Sequence, residues 1–401
     1  MTAKSAHKGQ PASPEGTDAT KQDSALHNAL LNANVIVTVG SGGVGKTTSA
    51  AAIAIAAARQ GRRCAVLTID PAKRLAQALG VEQLGNAPQH LPKDFVGPGS
   101  VDAMMLETAS AFDDLIRKLE NSPERQQRLL NNRLYLLIAR HLGGTHEYMA
   151  VEKLFELVNE RDYDLVVLDT PPSVNALDFL EAPQRITSFF SDRIQKYFVR
   201  RKKERFNLIE KVKNRAGEIA LSILGKALGD VFIEDVQDFA TAFQSLFASF
   251  RERGHAIQAL FNASSTVFTI VSGPDPVRIA EALRFADTLE KHGIQPEAFI
   301  INRVHSTRHE EAHQLTAEDL QAVSAKSGID LPMPTADILR ASERAQETQE
   351  ALCVRDQEGV RQMVRTIGRY RLLIVPELRN EVEDANALEH MVYSLAHSNH
   401  P

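Results

Sequence analysis

The run Val35-Ile-Val-Thr-Val39 leads straight into Gly40-Ser41-Gly42-Gly43-Val44-Gly45-Lys46-Thr47-Thr48, and an Ala-rich stretch, Ser49–Gln60, follows. No other feature restricts the fold of this chain as strongly. Glycines at 40, 42, 43 and 45 allow a backbone curl that residues with a Cβ resist. A buried strand that ends in such a curl and restarts as a helix aims several backbone N–H groups at one point, and that arrangement holds phosphate. The segment satisfies G-x-x-x-x-G-K-[ST], so every residue from Gly40 to Thr48 is a candidate nucleotide contact. Within it Lys46 would reach the β- and γ-phosphates, and the Thr47 hydroxyl would complete the shell of a Mg²⁺ ion. A chance glycine-rich turn is the bland alternative, and the strand–loop–helix context argues against it.

Two acids stand where such a loop needs them. Leu67-Thr-Ile-Asp70-Pro71-Ala72 closes the next strand-like run, and ligands of parallel sheets gather at the carboxyl ends of strands. On residue logic, Asp70 either positions the attacking water or caps the helix that begins after Pro71. Tyr163-Asp-Leu-Val-Val-Leu-Asp169-Thr170-Pro171-Pro172 is a hydrophobic run ending in an acid, the Walker B pattern whose Asp169 holds Mg²⁺. Thr170 to Pro172 would then sense the γ-phosphate.

Runs of Val and Ile without polar alternation recur at 35–39, 64–69, 164–168, 266–271, 298–301 and 371–375, with a weaker one at 101–106. Such runs suit strands buried on both faces. Each leads into a helical stretch, so the expected fold is α/β, a doubly wound, mainly parallel sheet of the P-loop type. Residues 108–160 read as mostly helical, and an all-helical insertion is expected over 184–262, after Pro183. Residues 1–26 lack aromatics and an apolar core segment, and read as a disordered tail ahead of an ATPase-type domain at 27–401.

Composition narrows the function classes. The formal net charge is −5, which gives no general attraction to nucleic acid. No stretch approaches the roughly 20 apolar residues that span a bilayer, so a cytoplasmic location is expected. The two cysteines, Cys64 and Cys353, exclude a disulfide framework and a four-cysteine metal site within one subunit. Cys64 lies in a strand-like run and reads as a core residue.

These motifs resemble the ArsA family of ATPases, which includes arsenite-pump ATPases and targeting factors for tail-anchored membrane proteins. The matching segments are Gly40 to Thr48, Ile69-Asp-Pro-Ala72, Gly144-Thr-His-Glu-Tyr-Met149, Asp169-Thr-Pro-Pro172 with Leu177-Asp-Phe-Leu180, and Val375-Pro-Glu-Leu378, in family order. The resemblance implies an ATP- and Mg²⁺-dependent dimer, with itself or with a related ATPase, that closes on ATP and serves a membrane protein or hydrophobic client. It favours the catalytic role for Asp70 and puts Asn302, with residues around Val375 and Pro376, near the adenine. Ile301-Asn302-Arg303-Val304-His305 carries no aspartate to read guanine, so ATP is expected rather than GTP.

The chain departs from the family's pattern in three ways. Ser41 replaces a lysine that reaches into the partner's site, Asn175 stands where a switch histidine is common, and the arsenite- and zinc-binding cysteines are absent. The Ser41 replacement keeps a second reading open, a nucleotide-gated scaffold with little hydrolysis. The basic run Arg200-Arg-Lys-Lys203 with Arg205 is read as a solvated helix face, interrupted by Glu204 and Glu210. Phe232, Phe239, Phe243, Phe247 and Phe250 form a helical stripe, read as core in preference to a client groove. The C-terminal segment 386–400 has an apolar face with only histidine as a cation, a weak membrane signature.

Overall fold

A computed structural model describes residues 32–69, 74–141, 145–171, 178–188, 239, 246–305, 316–328, 330–367, 371–377, 388 and 391–392. The first half contains β1 (Val35–Val39), α1 (Lys46–Arg59), β2 (Arg63–Thr68), α2 (Arg74–Leu79), β3 (Gln89–His90), α3 (Lys93–Val96) and β4 (Ser100–Met105). Four helices follow: α4 (Thr108–Leu119), α5 (Pro123–Leu130), α6 (Arg133–His141) and α7 (Thr145–Glu160). The chain continues with β5 (Leu165–Asp169), α8 (Asp178–Ser188), α9 (Phe247–Phe261), β6 (Thr266–Ser272), α10 (Pro276–Lys291) and β7 (Ala298–Val304). It closes with α11 (Ala317–Ser327), α12 (Thr335–Ile367) and β8 (Arg371–Pro376).

The strands form one sheet in the order β3-β4-β2-β5-β1-β6-β7-β8. Every pairing is parallel except the short β3–β4 contact at one edge. All seven strand-like runs become strands, shifted by no more than a few residues. The two-residue β3 escaped notice because Gln89–His90 has neither the length nor the apolar content of a strand. Alternation sorts side chains onto two cores. Val35, Val37 and Val39 face one, with Phe112, Tyr148 and Phe268. Ile36 faces the other, with Ala50 to Ala58 of α1, Cys64 and Val167. The Ala-rich sequence of α1 lets it lie close against the sheet, and its residues from Ser49 to Ala58 are buried.

Within 108–160 the described residues form α4 to α7. Pro183, however, does not mark where helix begins: α8 starts at Asp178 and runs through it. Arg185 pairs with Asp178 at 2.7 Å and Glu181 at 2.8 Å, fastening the turn that lacks the proline N–H. Most of 184–262, including Arg200 to Arg205, Phe232 and Phe243, lies outside the described residues. Of the aromatic stripe, Phe239 and Phe250 are buried, and Phe250 lies 5.8 Å from Tyr148 and 6.3 Å from Phe112 between ring centroids. α9 is further held to α7 by an ion pair between half-buried Arg253 and buried Glu152. Leu388, Met391 and Val392 are buried against the α1 face, so this part of the C-terminal apolar stripe serves the core. Among the described residues, no helix is long and apolar enough to cross a membrane.

Two buried hydroxyls on the α1 side, Ser49 Oγ and Thr269 Oγ1, have no hydrogen-bond partner among the described residues. A desolvated, unpaired hydroxyl costs stability, and valine has nearly the same shape as threonine. Thr269→Val is therefore expected to raise the unfolding free energy by about 1 kcal/mol, as read from urea denaturation.

Candidate functional site

β1 lies between β5 and β6, where the chain's excursions to the two halves of the sheet diverge, and ligands of open α/β sheets collect at such a point. The loop leaving β1 is shaped by close approaches. A Cβ on Gly40 would come within 2.1 Å of the Val271 carbonyl oxygen, and one on Gly45 within 2.2 Å of Asn302 Nδ2. Gly45 also has φ +94°, a left-handed value that side chains resist. Gly42 and Gly43 are exposed, leaving their backbone to solvent or ligand. Gly45 caps α1 without a side-chain acceptor, and the first turn carries no acid. By contrast, Ser122, Asp275 and Thr316 cap α5, α10 and α11 with their side chains. Uncapped N–H groups at the positive end of a helix dipole are suited to hold an anion.

Lys46 is 6 % exposed, and its Nζ donates to the Ser41 carbonyl oxygen at 2.8 Å, curling across the mouth of the loop. Thr47 Oγ1 donates to Asp169 Oδ2 at 2.7 Å, and Thr68 Oγ1 donates to the same oxygen at 2.9 Å. Asp169 is wholly buried at the end of β5, so the two acceptor-rich groups that sequence assigned to a cation stand side by side. Hard oxygen donors of this kind, facing a glycine cradle, fit Mg²⁺. Thr170 Oγ1 donates to the Thr38 carbonyl oxygen at 2.7 Å, anchoring the start of the following segment. Asp70, and with it Pro71 and Ala72, lies outside the described residues, as do Pro172 and Asn175.

On the β7 side, Asn302 Nδ2 donates to the Val44 carbonyl oxygen at 2.9 Å, while its Oδ1 accepts from the Arg303 N–H at 3.0 Å. The residue expected near the base is thus also a brace for the phosphate loop. Arg303 has φ +63°, and the pairing of β7 with β8 is irregular between Ile301 and Val304, so the chain kinks there. Val375 is 1 % exposed and packs in the α1-side core, which leaves Pro376, exposed at the end of β8, as the side chain at that edge. Of the Gly144 to Met149 segment, Tyr148 and Met149 are core, and His146 Nδ1 is hydrogen-bonded to Thr108 Oγ1 at 2.5 Å. Burial pushes the Cys64 thiol up to about 12, as befits a core residue.

Sequence reasoning missed Asp356 and Gly359 on α12. Asp356 is wholly buried, and its Oδ2 accepts from the His305 N–H at 2.9 Å and meets His305 Nδ1 at 2.7 Å. Arg355 Nη2 donates to Oδ1 at 2.6 Å. Gly359 lies so close to the loop after β6 that a Cβ would meet the Pro274 carbonyl oxygen at 2.0 Å. One helix therefore grips the loops that follow β6 and β7. No local pattern announces this, since Asp356 sits in an otherwise polar stretch.

The sheet order, the glycine cradle and the Lys46–Thr47–Asp169 cluster define a P-loop nucleoside-triphosphatase fold. More narrowly, residues 33–327 match the family described as anion-transporting ATPase, and the chain belongs to that ArsA family. It is 23% identical over 267 residues to a putative arsenical pump-driving ATPase 2 of Aquifex aeolicus, covering 66% of this chain and 78% of that one. It is 24% identical over 299 residues to ATPase ASNA1 homolog 1 of Paramecium tetraurelia, covering 70% and 78%.

Gly45→Ala is expected to weaken nucleotide binding about tenfold or more, because the new methyl must displace the Asn302 amide. Combined with Asn302→Ala it should cost less than the two changes summed, as measured by nucleotide titration of all three variants. A second expectation concerns acid. Burial works against ionisation of Asp356, but the His305 N–H, the His305 ring and the Arg355 guanidinium overcome it and hold its pKa below the usual carboxylate value. The lowered folded pKa makes this stabilisation complete above about pH 4 and lost as the pH falls through the lowered value. Asp356→Asn should therefore be less stable than wild type at neutral pH, and the gap should narrow in acid, as followed by urea denaturation across pH.

Proposed function

We propose that this protein is an ATP-hydrolysing molecular switch that couples nucleotide binding and turnover to closure of a dimer, and thereby to a membrane-transport or client-protein partner. The observation that carries the reading is the bond from Thr47 to Asp169 at an uncapped helix N-terminus whose first residue, Lys46, curls back over the glycine loop to Ser41. Membership of a family of ATPases supports it, as do the names of the two relatives, one a pump-driving ATPase.

In this reading the N–H groups of Gly42 to Thr48 surround the phosphates. Lys46 exchanges the Ser41 carbonyl for the β- and γ-phosphate oxygens, bringing a buried positive charge to the place where negative charge develops. Thr47 and Asp169 would hold Mg²⁺, which supplies further charge neutralisation on the phosphates when bound. Thr47 donates its proton to Asp169, so its lone pairs are free for a cation. Asn302 steadies the loop from the base side, with Pro376 at the same edge. Asp70 orients water for in-line attack on the γ-phosphate. Asp70→Asn is expected to retain ATP binding and to lose at least about 100-fold in turnover, the usual scale of general-base removal. Phosphate release alongside ATP titration checks it, and an unchanged hydrolysis rate would remove Asp70 from the mechanism.

Ser41 favours a second reading, a nucleotide-gated scaffold or one half of a heterodimer. Its short hydroxyl cannot deliver charge to a partner's site, and its carbonyl already holds Lys46. Vigorous phosphate release by the purified protein alone would dismiss this reading. Negligible release that rises on adding a related ATPase would favour it.

A further inference from the structure

Beneath the phosphate loop, four adjacent strands carry a row of buried polar side chains. Thr68 of β2 pairs in register with Asp169 of β5, Asp169 with Thr38 of β1, and Thr38 with Thr269 of β6. All four are at most 2 % exposed. Their neighbours two residues back, Val66, Val167, Ile36 and Val267, belong to the core on the α1 side, so the row faces the phosphate-loop helix. A hydroxyl at a buried strand position costs free energy unless it is bonded, and the three threonines differ in whether and how that demand is met. Thr38 Oγ1 donates to the Leu168 carbonyl oxygen at 3.2 Å. Thr269 Oγ1 has no hydrogen-bond partner among the described residues. Only Thr68 of the three donates to the carboxylate, and it chooses the oxygen that Thr47 also uses.

We infer that Thr68 is a positioning residue of the metal–nucleotide site, its hydroxyl fixing the Asp169 carboxylate against which Thr47 and Mg²⁺ are set. The inference rests on the Mg²⁺–ATP reading given above. Two donors on one oxygen fix the rotation of the carboxylate about its last torsion, which a single donor leaves softer. Partners that orient a metal-holding group commonly matter tenfold to a hundredfold in metal affinity. Thr68 also stands two residues before Asp70 in the sequence, the residue assigned to water above.

The test separates the hydroxyl from the shape. The full-length protein is titrated with a fluorescent ATP analogue in EDTA, and then with Mg²⁺ at fixed analogue. Thr68→Val keeps the branched outline and removes the donor. It should bind the analogue in EDTA as wild type does, while the Mg²⁺ concentration at half-effect rises about tenfold. Thr68→Ser restores the donor and should return that midpoint to within about twofold of wild type. Thr269→Val, in the same row but with no bond to lose, should leave it in place. A Thr68→Val midpoint equal to wild type overturns the inference. So does a Thr68→Ser midpoint shifted as far as that of Thr68→Val, which would mark shape as the requirement. If Thr68→Val does not fold, Thr68→Ala takes its place in the same comparison with Thr68→Ser. Wild-type binding that ignores Mg²⁺ would sink the underlying reading and the inference together. Mg²⁺-dependent wild-type binding beside an unshifted Thr68→Val sinks the inference alone.

Discussion

A carboxylate with no access to water must be met by donors, and in this protein Asp169 sets that condition at the centre of the sheet. Its Oδ2 accepts from Thr47, the first hydroxyl of α1, and from Thr68, the last residue of β2. The end of β5, the phosphate loop after β1 and the strand running toward Asp70 are thus tied at one atom. Bringing these three segments together is possible only because β5 lies between β1 and β2. The strand order and the site chemistry are two aspects of one arrangement.

The other side of the phosphate loop is held differently. There the bond is neutral, from the Asn302 amide to the Val44 carbonyl oxygen, and the fit is steric, with Gly45 pressed against that amide. Asn302 sits on β7 just before a kinked residue, Arg303, and the next bend is fastened to α12 through His305 and Asp356. A charge-bearing clamp thus holds the loop on the β5 side and a packed brace on the β7 side. Residues 340–351 of α12 are exposed along its length, so the helix that grips the loops after β6 and β7 by Asp356 and Gly359 also projects into solvent.

Much of this was legible in the residues. The Gly40 to Thr48 motif named its own ligand class because its glycines, lysine and threonine act within one turn of chain. Buried parallel strands announce themselves as Val and Ile runs, and all of the strands except β3 were readable. Asp169 was readable through the apolar run before it. Asp356 was not, because the bend it fastens, at His305, is 51 residues away and its immediate neighbours, Arg355, Gln357 and Glu358, are those of a polar helix face. Thr68 was hidden for a similar reason: a threonine at a strand end is ordinary until strand order brings it beside Asp169. The helix through Pro183 is not legible locally, because proline ordinarily ends a helix, whereas pairing of Arg185 with Asp178 and Glu181 fastens that turn across it.

The sequence by itself determined the class of chemistry, since phosphate recognition needs a glycine curl, a lysine and a hydroxyl in continuous chain. It also determined the layered α/β class, since the periodicity of apolar residues is a local property. Tertiary structure alone decided which hydroxyls face the Asp169 carboxylate, which asparagine braces the loop, and which helix locks the bends after β6 and β7. The first two choices depend on strand order and register and join residues more than 100 positions apart, and the third joins residues at least 51 positions apart, so none of them is written in a local stretch of chain.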